Sequence, residues 1–141
     1  MAFYLFSENI KYLLFKPKTM YISESNDSPE VELSISECKF KIEGNSYFVG
    51  INTLYDKIHK WIDDEMPKLE CDLKVELYFG IISSASLKNI IDIIEKLDDF
   101  YKKGKKIGIK GICDQDDTDI LDTANDFSEQ TDIPFSIVER Y

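Results

Sequence analysis

The sequence predicts a small, single α/β domain built on a mixed β-sheet. Two short segments near the start alternate apolar and polar residues on either side of a tight turn, which is typical of a hairpin with one buried face. Beyond them, segments with strand and helix periodicity alternate and are joined by short connections. Because such units close as right-handed parallel crossovers, we expect an N-terminal hairpin followed by a βαβαβ unit in the same sheet.

The first half contains the hairpin and one helix. We place the hairpin strands at 31–35 and 38–42, with a two-residue turn between them. Apolar residues then recur at helical spacing, and Pro67 ends the helix near Met66. The residues assigned to the core in this half are Tyr47, Ile51, Leu54, Tyr55, Ile58, Trp61 and Ile62.

The second half alternates strand and helix. Strands are predicted at 73–82, 106–112 and 134–138. One helix follows the serine cluster at 83–86 and is capped by Gly104, and another runs from about 118 to 130. On the first of these helices, two acid–lysine pairs at i,i+4 spacing are expected on the outer face: Asp92 with Lys96, and Asp98 with Lys102.

Length and charge narrow the class of protein. At 141 residues and 43% hydrophobic content, the chain fits one domain with a core of ordinary size. It has 27 acidic and 17 basic side chains, which gives a formal charge of −10. This charge repels nucleic acid and anionic lipid, whose binding normally needs a basic surface. We therefore expect a protein partner, with a basic patch.

The cysteines and the single histidine exclude several kinds of site. Cys38, Cys71 and Cys113 are odd in number, far apart and without a CxxC pair. We interpret all three as reduced apolar residues of a cytosolic protein, because secreted domains more often show paired cysteines. With His59 as the only histidine, a His-rich metal site is excluded and a Ser-His-Asp triad would have to use it. His59 lies beside Trp61 in the helical pattern, so we expect it at the surface or boundary of the core.

Residues 1–19 are predicted to be an N-terminal extension of unknown role before a domain at 20–141. The stretch is rich in aromatic residues but is interrupted by polar and charged ones, so it fits neither a membrane-spanning helix nor a signal peptide. It fits an added strand or an amphipathic segment, and translation from Met20 is an alternative start.

Three serines stand where the predicted strand at 73–82 meets its helix: Ser83, Ser84 and Ser86. A helix N-terminus stabilises an anion through its unpaired N–H groups and the positive end of its dipole, so this is a favourable place for a phosphate. Serine is also a preferred N-cap, and the same residues fit ordinary capping. On the residues alone, both interpretations stay open.

An acidic segment precedes the last predicted helix and contains Asp114, Asp116, Asp117 and Asp119. Carboxylates could hold a hard cation, but the EF-hand pattern fails because Asp119 sits where the loop needs glycine. We instead predict solvated acids at a helix N-terminus, with Asp116 or Asp117 as the cap, and no metal site.

Several motifs between about residues 28 and 138 resemble the SiaC-type regulatory phosphoproteins. Ser-Pro-Glu-Val at 28–31, Gly-Asn-Ser-Tyr at 44–47 and the pattern around 54–62 are similar to that family's TPEV, GxSYPEN and FYxPIxxWL. The segment at 83–88 occupies the place of its NTSSxK, and 114–120, Phe127 and 134–135 match its DxDDxDM, F and PF positions. Phe48, Val49 and Gly50 stand where the family has proline, glutamate and asparagine.

The resemblance implies a fold similar to the anti-sigma-factor antagonists (STAS-like) and a non-enzymatic switch without a cofactor. In that family, a Ser/Thr kinase related to histidine-kinase ATPase domains phosphorylates the hydroxyl of the NTSS segment, and a PP2C-type phosphatase removes the phosphate. The unphosphorylated form binds and activates a diguanylate cyclase, which connects it to cyclic-di-GMP and biofilm control in bacteria. By position the acceptor is Ser84, with Ser83 and Ser86 as fallbacks. The residues expected to contact a partner are Ser83, Ser86, Lys88, Asp116 and Asp117.

Two other classes of function stay open. In the first, the chain is a constitutive interaction module in which Ser84 is only a helix cap. In the second, it is a small hydrolase, whose nucleophile would have to be a cysteine or a serine near His59. The sequence contains neither a GxSxG nucleophile elbow nor a phosphate-cradling GxxxxGK[ST] loop, and this argues against the hydrolase.

Overall fold

In the computed structural model, residues 18–141 are described, so the predicted N-terminal extension lies outside them apart from Lys18 and Thr19. The elements follow in the order β1 (Met20–Ile22), β2 (Glu30–Ser34), β3 (Lys39–Ser46), α1 (Ile51–Glu65), β4 (Leu73–Ile82), α2 (Ser84–Lys102), β5 (Ile107–Asp114), α3 (Thr118–Glu129) and β6 (Phe135–Arg140). A short 3₁₀ turn, Met66–Lys68, follows α1 and contains Pro67. Among these residues, no helix is long and apolar enough to cross a membrane.

The six strands form one mixed sheet whose spatial order is the same as the chain order, β1 to β6. The strands β1, β2 and β3 pair antiparallel, and β3 to β6 pair parallel. This arrangement confirms the predicted α/β fold with a hairpin leading into parallel crossovers. The short edge strand β1 was not among the predicted elements, because three residues are too few to show a period.

The core lies between one face of the sheet and the helices. Along β2, β3 and β4 every second side chain points into it, including the fully buried Val31, Phe40 and Ile42. From the helices, Tyr55, Ile58 and other apolar residues pack against this face, and Trp61 meets the Phe40 ring edge-on with 6.0 Å between ring centroids. The alternate strand residues form the opposite face, which carries ion pairs such as Lys39 with Glu32 at 2.9 Å.

The prediction that all three cysteines are reduced is wrong for two of them. Cys38 and Cys71 form a disulfide with 6.0 Å between their Cα atoms, and Cys113 is free and buried. The two residues meet because β3 and β4 lie side by side in parallel, with Lys39 opposite Lys74. The spacing of the cysteines along the chain does not reveal this neighbourhood.

Two smaller predictions also need correction. Tyr47 was assigned to the core, yet 42% of it is exposed because it follows the last residue of β3 and leaves the sheet. Lys96 was paired with Asp92, but its ammonium group instead lies 3.1 Å from Asp63 and joins α2 to α1. The other expected pair, Asp98 with Lys102, forms at 2.8 Å, but Asp98 is buried and does not lie on the outer face as predicted.

The start of the described chain is anchored on α1. The backbone N–H of Lys18 donates to the buried carboxylate of Glu65 at 3.1 Å, and the Lys18 carbonyl accepts from Trp61 Nε1 at 2.9 Å. Lys68 Nζ, 2.9 Å away, balances the charge of Glu65. The backbone of Lys18 is therefore held by hydrogen bonds at both its N–H and its carbonyl group.

Asp98 is a buried carboxylate that ties α2 to the loop before β6. It accepts hydrogen bonds from Thr131 Oγ1 at 2.7 Å and from the Asp132 backbone N–H at 2.9 Å. The hydrogen bond from Lys102, aided by those two, holds the pKa of Asp98 below its ordinary value near 3.8 although burial opposes this. A carboxyl group with a lowered pKa stabilises the fold above its unfolded pKa, and this contribution disappears as the pH falls through the folded pKa.

Asp98→Asn is therefore expected to lower the free energy of unfolding by about 1–3 kcal/mol at pH 7, because a hydrogen-bonded charge is lost. The difference from the wild type should shrink once the pH falls below about 4, where the carboxylate of the unfolded chain is protonated. Urea unfolding at neutral and acidic pH measures both values, with the exposed neighbour change Asp99→Asn as the control. An equal difference at both pH values would contradict the role of the Asp98 charge.

Candidate functional site

The predicted serine site lies at the carboxyl end of β4, where α2 begins. Ser83 is the N-cap residue of α2, and its Oγ accepts the backbone N–H of Ser86 at 3.2 Å. The backbone N–H of Ser83 donates to the Ser46 carbonyl at 2.9 Å, which ties the cap to the end of β3. The structure thus assigns capping to Ser83 and not to Ser84.

A chain of buried hydroxyl groups connects this cap to α1. Ser46 Oγ donates to Ser86 Oγ at 2.8 Å, and Ser86 Oγ donates to the Ser46 carbonyl at 2.8 Å. The hydroxyl of Tyr55, 2.9 Å from Ser46 Oγ, completes the chain. Because Ser46 Oγ gives its one proton to Ser86, the Tyr55 hydroxyl is the donor to Ser46 Oγ. Burial raises the pKa of Tyr55. Ser86 is fully buried here, so in the folded protein its hydroxyl is withheld from a kinase.

Ser84 has a different environment from its two neighbours. It is exposed and is the first residue of α2. The backbone N–H groups of Ser84 and Ala85 lie in the first turn, where no helical acceptor exists. Lys88, also exposed, follows one turn later on the same helix face. An anion attached to Ser84 would therefore lie near two N–H groups, the positive end of the helix dipole and an ammonium group.

A matched pair of alanine variants separates the roles of the two serines. Ser83→Ala removes a cap whose oxygen bonds the third residue of α2, so the free energy of unfolding should fall by about 1 kcal/mol. Ser84→Ala removes an exposed hydroxyl that caps nothing and should change stability by less than about 0.5 kcal/mol. Chemical denaturation of both variants provides the test, and a larger loss for Ser84→Ala than for Ser83→Ala would contradict this assignment.

The acidic segment lies at the same edge of the sheet, at the end of β5. Asp117 is the N-cap of α3 and accepts the Ile120 backbone N–H at 3.1 Å, which confirms the predicted cap. Asp114 accepts the Tyr78 hydroxyl at 2.9 Å, while Asp116 is exposed. Within residues 18–141, no three side chains of the metal-binding types come together.

The structure also shows the environments of the cysteines and the histidine that a hydrolase would need. Cys38 and Cys71 are joined in the disulfide, and burial raises the pKa of the Cys113 thiol, which opposes formation of a thiolate. His59 is half-buried between α1 and α2, as expected for the boundary of the core, and its Nε2 lies 3.3 Å from Asn89 Oδ1. The hydrogen-bond partner of the His59 ring within the described residues is thus the Asn89 side-chain amide, which is not a nucleophile.

Beside the serines lies a group of exposed apolar side chains that the sequence did not indicate as functional. We call Tyr47, Phe48, Val49 and Ile81 the apolar edge surface; their exposed fractions are 42%, 47%, 103% and 63%. The sequence contains one indication of this surface. The segments 44–54 and 79–87 have no charged residue, although 31% of the residues in the chain are charged.

Two sequence comparisons with known proteins bear on the family of this chain. A family model described as SiaC family regulatory phosphoprotein matches residues 22–140. An uncharacterized protein of Pseudomonas aeruginosa (strain UCBPP-PA14) is 19% identical over 118 residues, which span 84% of this chain and 94% of that protein.

Solved structures show the same fold. Apo-SiaC from Pseudomonas aeruginosa matches with a TM-score of 0.77 at 18% identity, covering 86% of this chain and 98% of that one. A chain in the structure of the diguanylate cyclase SiaD in complex with its activator SiaC, also from Pseudomonas aeruginosa, matches with a TM-score of 0.80 at 18% identity, covering 86% and 99%. Because the family model spans most of the sequence, the chain belongs to the SiaC family of regulatory phosphoproteins.

Proposed function

We propose that this protein is a non-enzymatic signalling switch whose binding to a partner is controlled by reversible phosphorylation of Ser84. The observation that supports the proposal is that the three serines have different structural environments. Ser83 caps the helix and Ser86 is buried, whereas Ser84 is exposed and free of a structural task. As the family resemblance implies, we expect a Ser/Thr kinase to add the phosphate and a PP2C-type phosphatase to remove it.

The partner that we propose is a diguanylate cyclase. SiaC of Pseudomonas aeruginosa, which shares the fold, is described as the activator of the cyclase SiaD in their complex. In this proposal the unphosphorylated form binds and regulates the cyclase. A kinase and a cyclase both consume nucleoside triphosphates, so we place the switch in the cytoplasm. The cysteines no longer support that location, since Cys38 and Cys71 are bonded.

Charge explains how the switch would operate. A phosphate on Ser84 adds about −1.5 to −2 charges at neutral pH. The N-terminus of α2 and Lys88 can accommodate that charge locally, so the fold survives. A docked partner would have to desolvate the phosphate, and its binding would therefore weaken.

The test is phosphosite mass spectrometry on protein purified from its native cells with phosphatases inhibited. We expect phosphate on Ser84 and a diguanylate cyclase that co-purifies only with the unphosphorylated fraction. Ser84→Ala should keep the cyclase bound under all conditions, and chemical denaturation should show that this variant keeps the stability of the wild type. An unmodified 83–86 segment in every growth condition would overturn the switch and leave a constitutive interaction module.

A further inference from the structure

We propose that the apolar edge surface is the face on which the partner cyclase docks, with Ser84 at its margin. This inference rests on the proposed function and deepens it, because it names the contact surface and the chemistry that fits it. Among the described residues, seven large apolar side chains are exposed, and four of them belong to this surface. Contiguous exposed apolar groups on a monomer typically mark a site of interaction.

The surface is held in place before any partner arrives. The Asp27 carbonyl accepts the backbone N–H groups of both Tyr47 and Phe48 at 2.9 Å. Asn45 joins the two segments, since its Oδ1 accepts the Ile81 backbone N–H at 2.9 Å and its Nδ2 donates to the Asn26 carbonyl at 3.1 Å. A preformed surface loses little conformational entropy on binding, which favours its use in recognition.

Two glycines make this arrangement possible. A Cβ on Gly80 would lie only 2.4 Å from Asn45 Oδ1, so the absence of a side chain lets the Asn45 amide reach β4. A Cβ on Gly50 would lie 2.7 Å from the Phe48 ring, which packs over this position at the start of α1. The Phe48 ring thus lies over Gly50 while about half of it stays exposed.

Charge defines the partner face that fits. The segments 44–54 and 79–87, which carry the surface, contain no charged residue. Beside the exposed loop the rim carries acidic residues: the Glu24 carboxylate approaches Gly44, and Asp27 adjoins the loop that its backbone carbonyl holds. On the helix side the rim is mixed, with Asp56 and Lys57 exposed on α1 and Lys88 exposed on α2. The complementary face on the cyclase is therefore apolar at its centre and carries lysine or arginine where it meets Glu24 and Asp27.

The position of Ser84 connects this surface to the switch. The hydrogen bond from Ser83 to the Ser46 carbonyl sets the start of α2 beside the first residue of the exposed loop, Tyr47. A phosphate on Ser84 would stand at the margin of an uncharged contact and would be desolvated when the partner docks. The same modification would leave α2 and the core unchanged, so it would act on binding alone.

The test measures binding of purified variants to a purified diguanylate cyclase from the same organism. Val49→Asp places a carboxylate on the surface at a fully exposed position, and Phe48→Ala removes the half-exposed ring. Tyr141→Asp is the matched control, because Tyr141 is 94% exposed and lies outside the surface. We expect Val49→Asp and Phe48→Ala to weaken binding by about tenfold or more and Tyr141→Asp by less than about twofold. Thermal unfolding should show that the three variants remain folded.

The outcomes separate this inference from the proposed function. If the wild type binds the cyclase and both Val49→Asp and Phe48→Ala bind it equally well, the proposed docking surface is wrong, but the proposed switch is not contradicted. A wild type that does not bind the cyclase would overturn both. The dissociation constant is also measured at low and high ionic strength. If it does not change with salt, the proposed basic residues on the partner face are contradicted.

Discussion

Reduction of the Cys38–Cys71 disulfide is expected to lower the free energy of unfolding by about 3–4 kcal/mol. The bond closes a loop of 33 residues, and in the chain-entropy account a loop of this length restricts the unfolded chain by about that amount. Domains of this size are stable by only about 5–15 kcal/mol, so the loss is a large share of the total. The melting temperature should fall by roughly 10 °C.

Thermal unfolding with and without a thiol reductant measures this effect. The double variant Cys38→Ser, Cys71→Ser supplies the control, because it should melt at the temperature of the reduced wild type and should not respond to reductant. Cys113 is buried and is present in both proteins, so it does not contribute to the difference between their melting temperatures. Equal melting temperatures for oxidised and reduced wild type would show that the bond contributes nothing to stability.

Tyr55→Ala is expected to destabilise the domain by about 3–5 kcal/mol, the range for removing a large buried ring. The Tyr55 side chain is fully buried on α1 and packs in the core. Its hydroxyl also ends the chain of hydrogen bonds that runs through Ser46 to Ser86 beneath the start of α2. The residue thus supports the same helix terminus that presents Ser84.

Tyr55→Phe separates packing from hydrogen bonding. It keeps the ring and removes only the hydroxyl, so we expect a loss of about 1–2 kcal/mol, less than for alanine. Denaturant titration of both variants gives the two values. If phenylalanine were as damaging as alanine, the hydroxyl network rather than the ring would dominate at this position.

Periodicity predicted the elements well wherever a strand or helix has one buried face. The strand at 73–82 has the bounds that its alternation indicated, and α3 starts at Thr118 as its apolar spacing suggested. Helix ends were predictable because Pro67 and Gly104 each terminate a helix for a local reason. Local patterns suffice for features that local interactions determine.

Features that depend on neighbouring strands were not predictable in the same way. The pairing of Cys38 with Cys71 requires β3 and β4 to be adjacent and in register, which neither segment encodes alone. In the site, the sequence located the serine cluster but could not say which serine is the cap. A shift of one residue in the helix start exchanges the roles of Ser83 and Ser84, and the contact with the Ser46 carbonyl settles that start.

The agreement between strand order and chain order has a consequence for synthesis. Each strand pairs with the one made just before it, so a growing chain can extend the sheet from β1 to β6 without waiting for a distant segment. Cys71 is synthesised before Cys113, so Cys38 is the first cysteine that it can meet. The order of translation itself therefore favours the correct cysteine pair over the two incorrect ones.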